Sequence, residues 1–505
     1  MAPTLSLSLI TAFLLFTTSS ALVPGGEQQQ EDSLWQNLRH QQQHRLRART
    51  DCRVDRLTAQ EPTLRFDSEA GRTEFWDRNN QQFECAGVAA VRNYIKPRGL
   101  LLPHYNNAPQ LLYVVRGRGL LGVVIPGCAE TFETEMRQRD HDRSRSFVDR
   151  HQKVRQFRQG DVIALPAGFT LWFYNNGDER LETVALLDTG NQINQLDHTF
   201  RNFFLAGKPR GEAQGSESYR SRRRGESEQS ERDNIFNPFD DELLAEIFNV
   251  DIETARKLKS QDDFRGQIVQ ADRFDILFPG GEEEERESRR RGRWWDDLEA
   301  SNGLEETLCS ARLRLNLDEP ARADVYNPRG GRISAANSQK LPILSWLRLS
   351  AEKGVLYRNA IMAPTWNANA HSVIYITRGS GRFQVVGQAG KAVFDGEVRE
   401  GQMIIVPQNF AMIKKANNEE GLEWISFKTN DNAVVTPLAG RLSALRAMPE
   451  EVLMSAYDIS REDARNLKFK REESRIMSST SRRSSRYPSR PWPIEYALDV
   501  IKSMM

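Results

Sequence analysis

The strongest constraint on the fold is an internal repeat, in which one pattern of strand-forming runs, glycines and proline occurs twice. From Gly99 the chain reads G-L-L-L-P-H-Y-N-N-A-P-Q-L-L-Y-V-V-R-G-R-G-L-L-G-V-V, and from Ile361 it reads I-M-A-P-T-W-N-A-N-A-H-S-V-I-Y-I-T-R-G-S-G-R-F-Q-V-V. Each copy contains two β-rich runs separated by R-G-x-G, which predicts a hairpin within an antiparallel sheet. A second shared block starts at Gly160 and at Gly401, where an apolar strand ends at a proline six residues after the glycine.

Two helical segments follow the strands in each copy. The segment from Glu242, E-L-L-A-E-I-F-N-V-D-I-E-T-A-R-K-L, aligns without a gap to the segment from Glu451, E-V-L-M-S-A-Y-D-I-S-R-E-D-A-R-N-L. Apolar residues recur at helical spacing, and Asn-Val-Asp or Asp-Ile-Ser interrupts each segment and caps a second helix. We therefore predict a mainly β chain of two β-barrel or jelly-roll modules, each followed by an α-helical extension.

The difference in residue number between matching positions of the two copies decreases along the chain. It is 379 − 117 = 262 at the R-G-x-G glycines, 401 − 160 = 241 at the second block and 451 − 242 = 209 at the helices. Each decrease marks an insertion in the first copy. The two insertions, near Glu135 and from Gly211, are polar and are predicted to be exposed, mobile loops.

The N-terminus has the pattern of a secretory signal peptide, with an apolar run from Leu5 to Phe16 and small residues ending at Ala21. A transmembrane anchor is the alternative, but this run is shorter than the roughly 20 residues that span a bilayer. The Gln-rich segment 22–50 has no periodicity and is interpreted as a flexible arm. We expect a soluble protein made through the endoplasmic reticulum, without a membrane partner.

The two copies meet at N-G-L-E-E-T-L-C, from Asn302 to Cys309. A charged tract from Gly280 precedes this stretch and cannot bury a core, so it is predicted to be a solvated loop. The pair Asn302-Gly303 suits a tight exposed turn, because both residue types tolerate positive φ. It is interpreted as an accessible joint between two halves, with an ordinary hairpin turn as the alternative.

Charge differs on the two sides of this joint. From Gly303 to Met505 there are 29 Lys plus Arg and 22 Asp plus Glu, a net charge of +7, which leaves 1 − 7 = −6 for the preceding part. The arginines are mixed with acids and lack an accompanying aromatic pattern, which disfavours nucleic acid as a partner. Of the 70 basic residues 14 are Lys, so 70 − 14 = 56 are Arg. This nitrogen-rich bias suits a molecule whose role is to hold nitrogen.

A chain of 505 residues exceeds the size at which one hydrophobic core keeps growing, which favours two or three domains. The predicted segments are a signal peptide (1–21), a flexible arm (22–50), an N-terminal module with its helical extension (51–270), a charged linker (271–302), a C-terminal module with its helical extension (303–473) and a Ser/Arg-rich tail (474–505).

Four cysteines are available for disulfides in an oxidising compartment: Cys52, Cys85, Cys128 and Cys309. If the chain were cut at Asn302, three cysteines would precede the cut and one would follow it. Complete pairing would then include one bridge between the halves. Spacing alone does not choose among the possible pairings.

The paired blocks resemble the two motifs of the cupin superfamily, which implies two cupin jelly-roll β-barrels. In metal-binding cupins these motifs place three imidazoles and one carboxylate around a divalent transition metal inside the barrel. The corresponding positions here are His104, Asn106, Gln110 and Leu171 in the first copy, and Trp366, Ala368, Ser372 and Met412 in the second.

Only His104 among these eight residues is a possible ligand. The resemblance therefore implies no metal site, no cofactor and no catalytic residue, and it argues against oxalate oxidase, dioxygenase or isomerase activity. His104 is interpreted as a structural histidine. The apolar residues Leu171 and Met412 predict packed barrel interiors.

Two such modules joined by N-G-x-E-E-T-x-C resemble the legumin-type seed storage globulins of the 11S class. Every fixed position of this signature is present, at Asn302, Gly303, Glu305, Glu306, Thr307 and Cys309. The resemblance implies a non-enzymatic nutrient reservoir for nitrogen and carbon. It implies cleavage after Asn302 by an asparaginyl endopeptidase in the protein storage vacuole of seeds, giving an acidic chain 22–302 and a basic chain 303–505.

The same resemblance implies the disulfides Cys52–Cys85 and Cys128–Cys309, and assembly into homo- or hetero-trimers and hexamers with other 11S globulin subunits. Two other functions are open at this point: a metal-dependent cupin enzyme with a relocated site, and a vicilin-like ligand-binding protein. Stoichiometric metal on the purified protein would favour the enzyme, and the absence of a two-chain product would favour the vicilin-like protein.

Overall fold

The computed structural model describes residues 54–77, 80–128, 132–136, 147–208, 234–274 and 311–478, together with Cys52, Glu130, Gln214–Gly215 and Cys309. The predicted signal peptide, the arm, most of both predicted loops, the charged tract and most of the C-terminal tail lie outside the described residues. The cleavage residues Asn302 and Gly303 also lie outside them, as do Glu305, Glu306 and Thr307.

The first barrel has two sheets of antiparallel strands. Its strands are β1 (Leu64–Ser68), β2 (Gly71–Phe75), β3 (Ala89–Ile95), β4 (Gly99–Asn106), β5 (Gln110–Arg116), β6 (Arg118–Val124), β7 (Phe132–Met136), β8 (Phe147–His151), β9 (Val154–Arg158), β10 (Asp161–Leu165), β11 (Thr170–Tyr174), β12 (Leu181–Leu187), β13 (Asn202–Phe204), β14 (Gln214–Gly215), β15 (Ile268–Gln270) and β16 (Arg314–Asn316). One sheet has the order β14-β1-β2-β3-β12-β5-β10-β16, and the other has the order β13-β4-β11-β6-β9 with β15 beside β4. Strands β7 and β8 form a separate hairpin.

The second barrel repeats this arrangement in one continuous sheet system. Its strands are β17 (Val325–Asn327), β18 (Gly331–Ala336), β19 (Ser350–Leu356), β20 (Ile361–Asn367), β21 (Ser372–Val386), β22 (Ala392–Arg399), β23 (Met403–Val406), β24 (Ala411–Ala416), β25 (Leu422–Lys428), β26 (Val435–Pro437) and β27 (Ile476–Met477). The order is β17-β18-β19-β25-β21-β24-β20-β26, with β22 and β23 paired to β21 and β27 paired to β20. The predicted mainly β fold with two barrels is confirmed.

The R-G-x-G elements are not hairpin turns, so that prediction was wrong. Strand β5 pairs with β10 and β12, whereas β6 pairs with β9 and β11 in the other sheet. In the second barrel β21 continues through the element, pairing with β23 and β25 in its first half and with β22 and β24 in its second half. Gly117 and Gly379 have φ of 88° and 72°, and a Cβ on Gly379 would collide with the carbonyl of Gly421. Glycine is therefore needed where the chain passes from one sheet to the other.

The helices lie beside and after the barrels. They are α1 (Gln81–Ala86), α2 (Asp241–Phe248), α3 (Ile252–Lys259), α4 (Leu344–Leu347), α5 (Ala444–Ala447), α6 (Glu450–Tyr457) and α7 (Arg461–Phe469). The predicted breaks cap the second helix of each pair, because Asp251 accepts from the Thr254 N–H and Ser460 accepts from the Asp463 N–H. The helical extensions are thus confirmed. Within the described residues, no helix is long and apolar enough to cross a membrane.

A segment that precedes the first barrel packs on the second one. The Leu57 N–H donates to the Val393 carbonyl at 2.8 Å, and Gln60 forms a β-bridge with Met403. Val54 and Leu57 are buried in the apolar core of the second barrel. Residues 54–60 therefore pack on the second barrel while they also bond to the first module, where Trp76 Nε1 donates to the Gln60 carbonyl and Gln82 Nε2 donates to Thr58 Oγ1.

A segment that follows the predicted joint packs on the first barrel. Strand β16 pairs with β10, so that Asn316 lies opposite Asp161. Leu313, Leu315 and Leu317 are buried in the core of the first barrel. Each barrel therefore contains a segment from the other side of the predicted joint.

Candidate functional site

His104 lies inside the first barrel, where β4 carries it opposite Leu171 on β11. Its Nδ1 lies 2.8 Å from the Leu102 carbonyl oxygen, and its ring lies 5.0 Å from the Phe204 ring between centroids. Burial lowers the pKa of His104 to about 4, although the hydrogen bond to Leu102 opposes the shift. The imidazole is therefore neutral at neutral pH, and its Nδ1–H donates to the carbonyl.

The other metal-ligand positions of the first barrel carry no transition-metal ligand. The Asn106 amide donates to the Gln110 side-chain oxygen at 3.1 Å, and both residues are buried. Leu171 is buried with 1 % exposure. One imidazole beside two mutually bonded amides and a leucine does not fit a divalent transition metal, which prefers several imidazole, thiolate or carboxylate ligands.

In the second barrel the strand register shows that two of the metal-ligand positions are occupied by residues other than those assigned from the sequence. Thr365 lies opposite Met412 in the same way that His104 lies opposite Leu171. Asn367 therefore matches Asn106, whereas the sequence comparison had assigned Trp366 and Ala368. The reason is loop length, since four residues separate β20 from β21 but only three separate β4 from β5. Trp366 is half-buried and Ala368 is exposed, so neither faces the barrel interior.

An ammonium group lies against these positions in the second barrel. Lys428 Nζ donates to Ser372 Oγ at 2.6 Å and to Asn367 Oδ1 at 3.3 Å. The Asn367 amide also donates to Ser372 Oγ at 2.5 Å. A tethered cation therefore contacts two positions where a metal-binding cupin has ligands, and its positive charge opposes metal binding. Across the described ranges, no group of three His, Cys, Asp or Glu residues could hold a metal ion.

Further charges lie inside the second barrel, and the sequence comparison missed them. Glu352 on β19 and Lys414 on β24 are buried, and Arg475 reaches Glu352 with an N–O distance of 3.2 Å. Alternation along β24 could have identified Lys414, because Met412, Lys414 and Ala416 are buried while Lys415 is exposed. The predicted packed interior holds for Leu171 and Met412 themselves, but the second barrel is not apolar throughout.

These charges shift each other's protonation. Burial by itself would raise the pKa of Glu352, but the charges of Arg475, Lys428 and Lys414 outweigh it and lower the pKa to about 2. Burial lowers the pKa of Lys414 to about 7, although Glu352 opposes the shift. Burial also lowers the pKa of Lys428. The interior is therefore a coupled charge cluster of Glu352, Lys414, Lys428 and Arg475, called the charge cluster below.

Both disulfides join segments that are distant in the sequence. The structure joins Cys52 to Cys85 and Cys128 to Cys309, which is the pairing that the resemblance implies. Cys85 lies on α1, and Cys128 follows β6 of the first barrel. The Cys128–Cys309 bridge thus connects the first barrel to the chain that follows Asn302.

The helical extensions expose apolar side chains. On α2, Leu244 is buried, but Ile247 is 72 % exposed and Leu243 is 58 % exposed. On α6 and α7, Leu453 is buried, while the exposed apolar residues are Val452, Tyr457, Leu467 and Phe469. Each helix pair therefore buries one stripe on its own module and leaves a second apolar stripe in contact with solvent, which is typical of an assembly surface.

Known proteins share both the sequence and this geometry. The chain matches the cupin domain family at residues 57–210 and 315–465. It is 51% identical over 478 residues to the 11S globulin seed storage protein 1 of Carya illinoinensis, an alignment that covers 88% of this chain and 93% of that protein.

Two solved structures support the same likeness. The coconut allergen cocosin has a TM-score of 0.72 and 46% identity, and the match covers 85% of this chain and 100% of that chain. Procruciferin, the 11S globulin from Brassica napus, has a TM-score of 0.74 and 41% identity, and the match covers 85% of this chain and 98% of that chain.

Proposed function

Because the chain belongs to the 11S seed storage globulins of the cupin superfamily, we propose that it is a nutrient reservoir processed after Asn302 into an acidic and a basic chain. Its relative from Carya illinoinensis is named a seed storage protein. The barrel interiors agree with that role, since neither set of metal-ligand positions fits a catalytic metal.

The observation that carries the processing proposal is the attachment of the chain after Asn302 to the first barrel. Cys309 is bridged to Cys128, and β16 is hydrogen-bonded to β10. A cut after Asn302 would therefore leave the new N-terminal segment covalently and non-covalently joined to the acidic chain. Such a cut removes no residue from either core.

The processing proposal can be tested on the purified full-length precursor with asparaginyl endopeptidase. We expect two chains on a gel run with reductant, one of them starting at Gly303, and a single linked species without reductant. Asn302→Gln is the matched control and should stay uncut. A cut elsewhere in the wild type, or two separate chains without reductant, would contradict the proposal.

We further propose that the helical extensions assemble the protein into trimers, and that the cut lets trimers pair into hexamers with the same or other 11S subunits. The exposed stripe on α2 and the one on α6 and α7 supply two different apolar surfaces. Joining one surface to the other in successive protomers is a head-to-tail contact, which closes into a ring. Burial of these side chains would stabilise the ring by about 25 cal/mol per Å² of apolar surface removed from water.

Sedimentation of an Ile247→Glu variant tests the assembly proposal. A carboxylate at this exposed position should leave the fold intact and shift the precursor from trimer to monomer. Gln261→Glu, which adds the same charge at an exposed polar position after α3, should remain trimeric. Trimeric Ile247→Glu protein would exclude α2 from the contact.

For storage, the protein would be directed by the predicted signal peptide to the protein storage vacuole and degraded later. Proteolysis starts where backbone is accessible and weakly held. The first cuts are therefore expected between Gly211 and Asp233 or after Gly280, and mass spectrometry of early digests would identify them. A first cut within any barrel strand other than β14, which lies inside the first of these stretches, would contradict this route.

A further inference from the structure

The charge cluster inside the second barrel has more positive than negative side chains. Three basic residues, Lys414, Lys428 and Arg475, share the interior with one acidic residue, Glu352. The two lysines and the glutamate are each at most 5 % exposed. Arg475 pairs with Glu352 at 3.2 Å, so the carboxylate is already engaged. The two lysines have no carboxylate of their own within 4.0 Å among the described residues.

The two lysines differ in their partners. Lys428 donates to the oxygens of Ser372 and Asn367. The ammonium of Lys414 instead lies over the Trp424 ring, 4.0 Å from its centroid, and 5.7 Å from that of Phe383. No oxygen in the described parts of the chain accepts a hydrogen bond from Lys414. Its three N–H donors therefore face aromatic carbon rather than an acceptor.

Two more donors, both on β25, are also without acceptors among the described residues. Trp424 Nε1 and Ser426 Oγ are buried, and neither has a hydrogen-bond partner among the described residues. Both side chains point to the same face of β25, because they are two residues apart. Glu352 lies opposite Ser426 in the ladder. The donors of Lys414, Trp424 and Ser426 thus enter the interior from two strands, β24 and β25, which β21 separates in the strand order. The Lys414 ammonium reaches the Trp424 ring across that interior.

A buried group of donors with surplus positive charge is complementary to an anion that only accepts hydrogen bonds. A carboxylate supplies two oxygens for the indole N–H and the hydroxyl, and its charge compensates the ammonium. Water would supply an acceptor but no charge, and a metal cation would be repelled. Burial lowers the pKa of Lys414 to about 7 although Glu352 opposes the shift, which agrees with one carboxylate being outnumbered by three cations.

We propose that the interior of the second barrel is a binding site for one small carboxylate, held by Lys414 together with Trp424 and Ser426. The site is independent of the storage role, because it involves neither the joint at Asn302 nor the helical extensions. The first barrel has no equivalent, since the residue matching Lys414 is Phe173.

The test uses full-length protein and [1-13C]acetate as the probe, followed by NMR line broadening at pH 6. We expect one acetate per chain and at least tenfold weaker binding by Lys414→Met, which keeps the side-chain length and removes the charge. Lys415→Met is the matched control, because Lys415 is the exposed neighbour on the same strand, and its Kd should stay within twofold of wild type. Failure of the wild type to bind acetate, or equal binding by Lys414→Met, would overturn the proposal.

A second variant keeps the test decisive if Lys414→Met does not fold. Trp424→Phe retains the ring and removes the N–H donor, so acetate should bind about threefold more weakly. Wild-type affinity in Trp424→Phe would show that acetate binds elsewhere, and would equally overturn the proposed site.

Discussion

The two barrels share a strand order but differ in their interiors. The registers match Phe173 to Lys414 and Leu187 to Lys428. Three other matched pairs are Val91 with Glu352, Thr183 with Trp424, and Ala185 with Ser426. At all five positions the first barrel is uncharged, whereas the second carries three charges. Strand pairing and helix packing therefore specify this fold without dictating what its barrels enclose.

The largest change in stability is expected when a charged residue is introduced into the uncharged interior of the first barrel. Phe173→Lys would bury an ammonium without a carboxylate and remove a packed ring, so the free energy of unfolding should fall by about 4 kcal/mol. Guanidinium unfolding would measure the change. Val124→Lys, at an exposed position of the same barrel, should change it by less than about 1 kcal/mol. A tolerated Phe173→Lys would show that the two interiors are not chemically distinct.

Removing the acid from the charged barrel should have the next largest effect. Glu352→Gln leaves two buried lysines and the half-buried Arg475 without a counter-charge, at a cost of about 3 kcal/mol near neutral pH. Glu352 has a folded pKa of about 2, below the value of 4.5 that is ordinary for a glutamate. Its stabilisation is therefore present above pH 4.5 and lost as pH falls toward 2.

Unfolding of wild type and Glu352→Gln from pH 7 to pH 2 would show whether their difference disappears in that window. Glu397→Gln, which removes an exposed carboxylate from β22, serves as the control and should match wild type. A pH-independent difference would mean that the lost contact is not electrostatic.

Removing a cation from the charge cluster should raise the free energy of unfolding rather than lower it. In carboxylate-free buffer Lys414→Met should stabilise the protein by about 2 kcal/mol, since the buried ammonium has no acceptor. The folded pKa of Lys414, about 7, lies below 10.5, so the unfolded chain binds more protons between these values and wild-type stability rises with pH there. The gain of Lys414→Met should thus be largest below pH 7 and shrink toward pH 10.5, as measured by thermal unfolding. Destabilisation at pH 6 would contradict the cluster's excess of positive charge.

The smallest change in stability is expected when a lysine is introduced into the first barrel at a position where side-chain oxygens can accept its hydrogen bonds. Leu187 lies opposite Gln110 in the ladder, as Lys428 lies opposite Ser372. Leu187→Lys should therefore cost only about 1 kcal/mol, because Asn106 and Gln110 offer side-chain oxygens. A cost equal to that of Phe173→Lys would show that such acceptors do not make a buried lysine tolerable.

Elements with strong local signals could be predicted from the sequence. The apolar spacing and the capping residues Asp251 and Ser460 locate both helix pairs, because the helices are determined by nearby residues. The repeat itself indicates two barrels. The barrel strands after Gly160 and Gly401 end at prolines, as the pattern predicts.

Features that depend on distant pairing could not be predicted in the same way. One extra loop residue before Ser372 moves Asn367, rather than Ala368, into the barrel, and only the strand register shows this. The hairpin prediction at R-G-x-G failed because glycine permits a bend between sheets as readily as a turn. Residues 54–60 and β16 pair with strands on the other side of the joint, and no local pattern encodes that exchange.

Because of this exchange, we predict that the globulin cut after Asn302 remains one folded unit even without its interchain disulfide. The decisive measurement is native size-exclusion chromatography of cut protein after Cys128–Cys309 is reduced, with thiol titration to verify reduction. We predict that the acidic and basic chains co-elute, because β16 stays paired with β10 and residues 54–60 stay on the second barrel. Separate elution of the basic chain under these native conditions would contradict the claim.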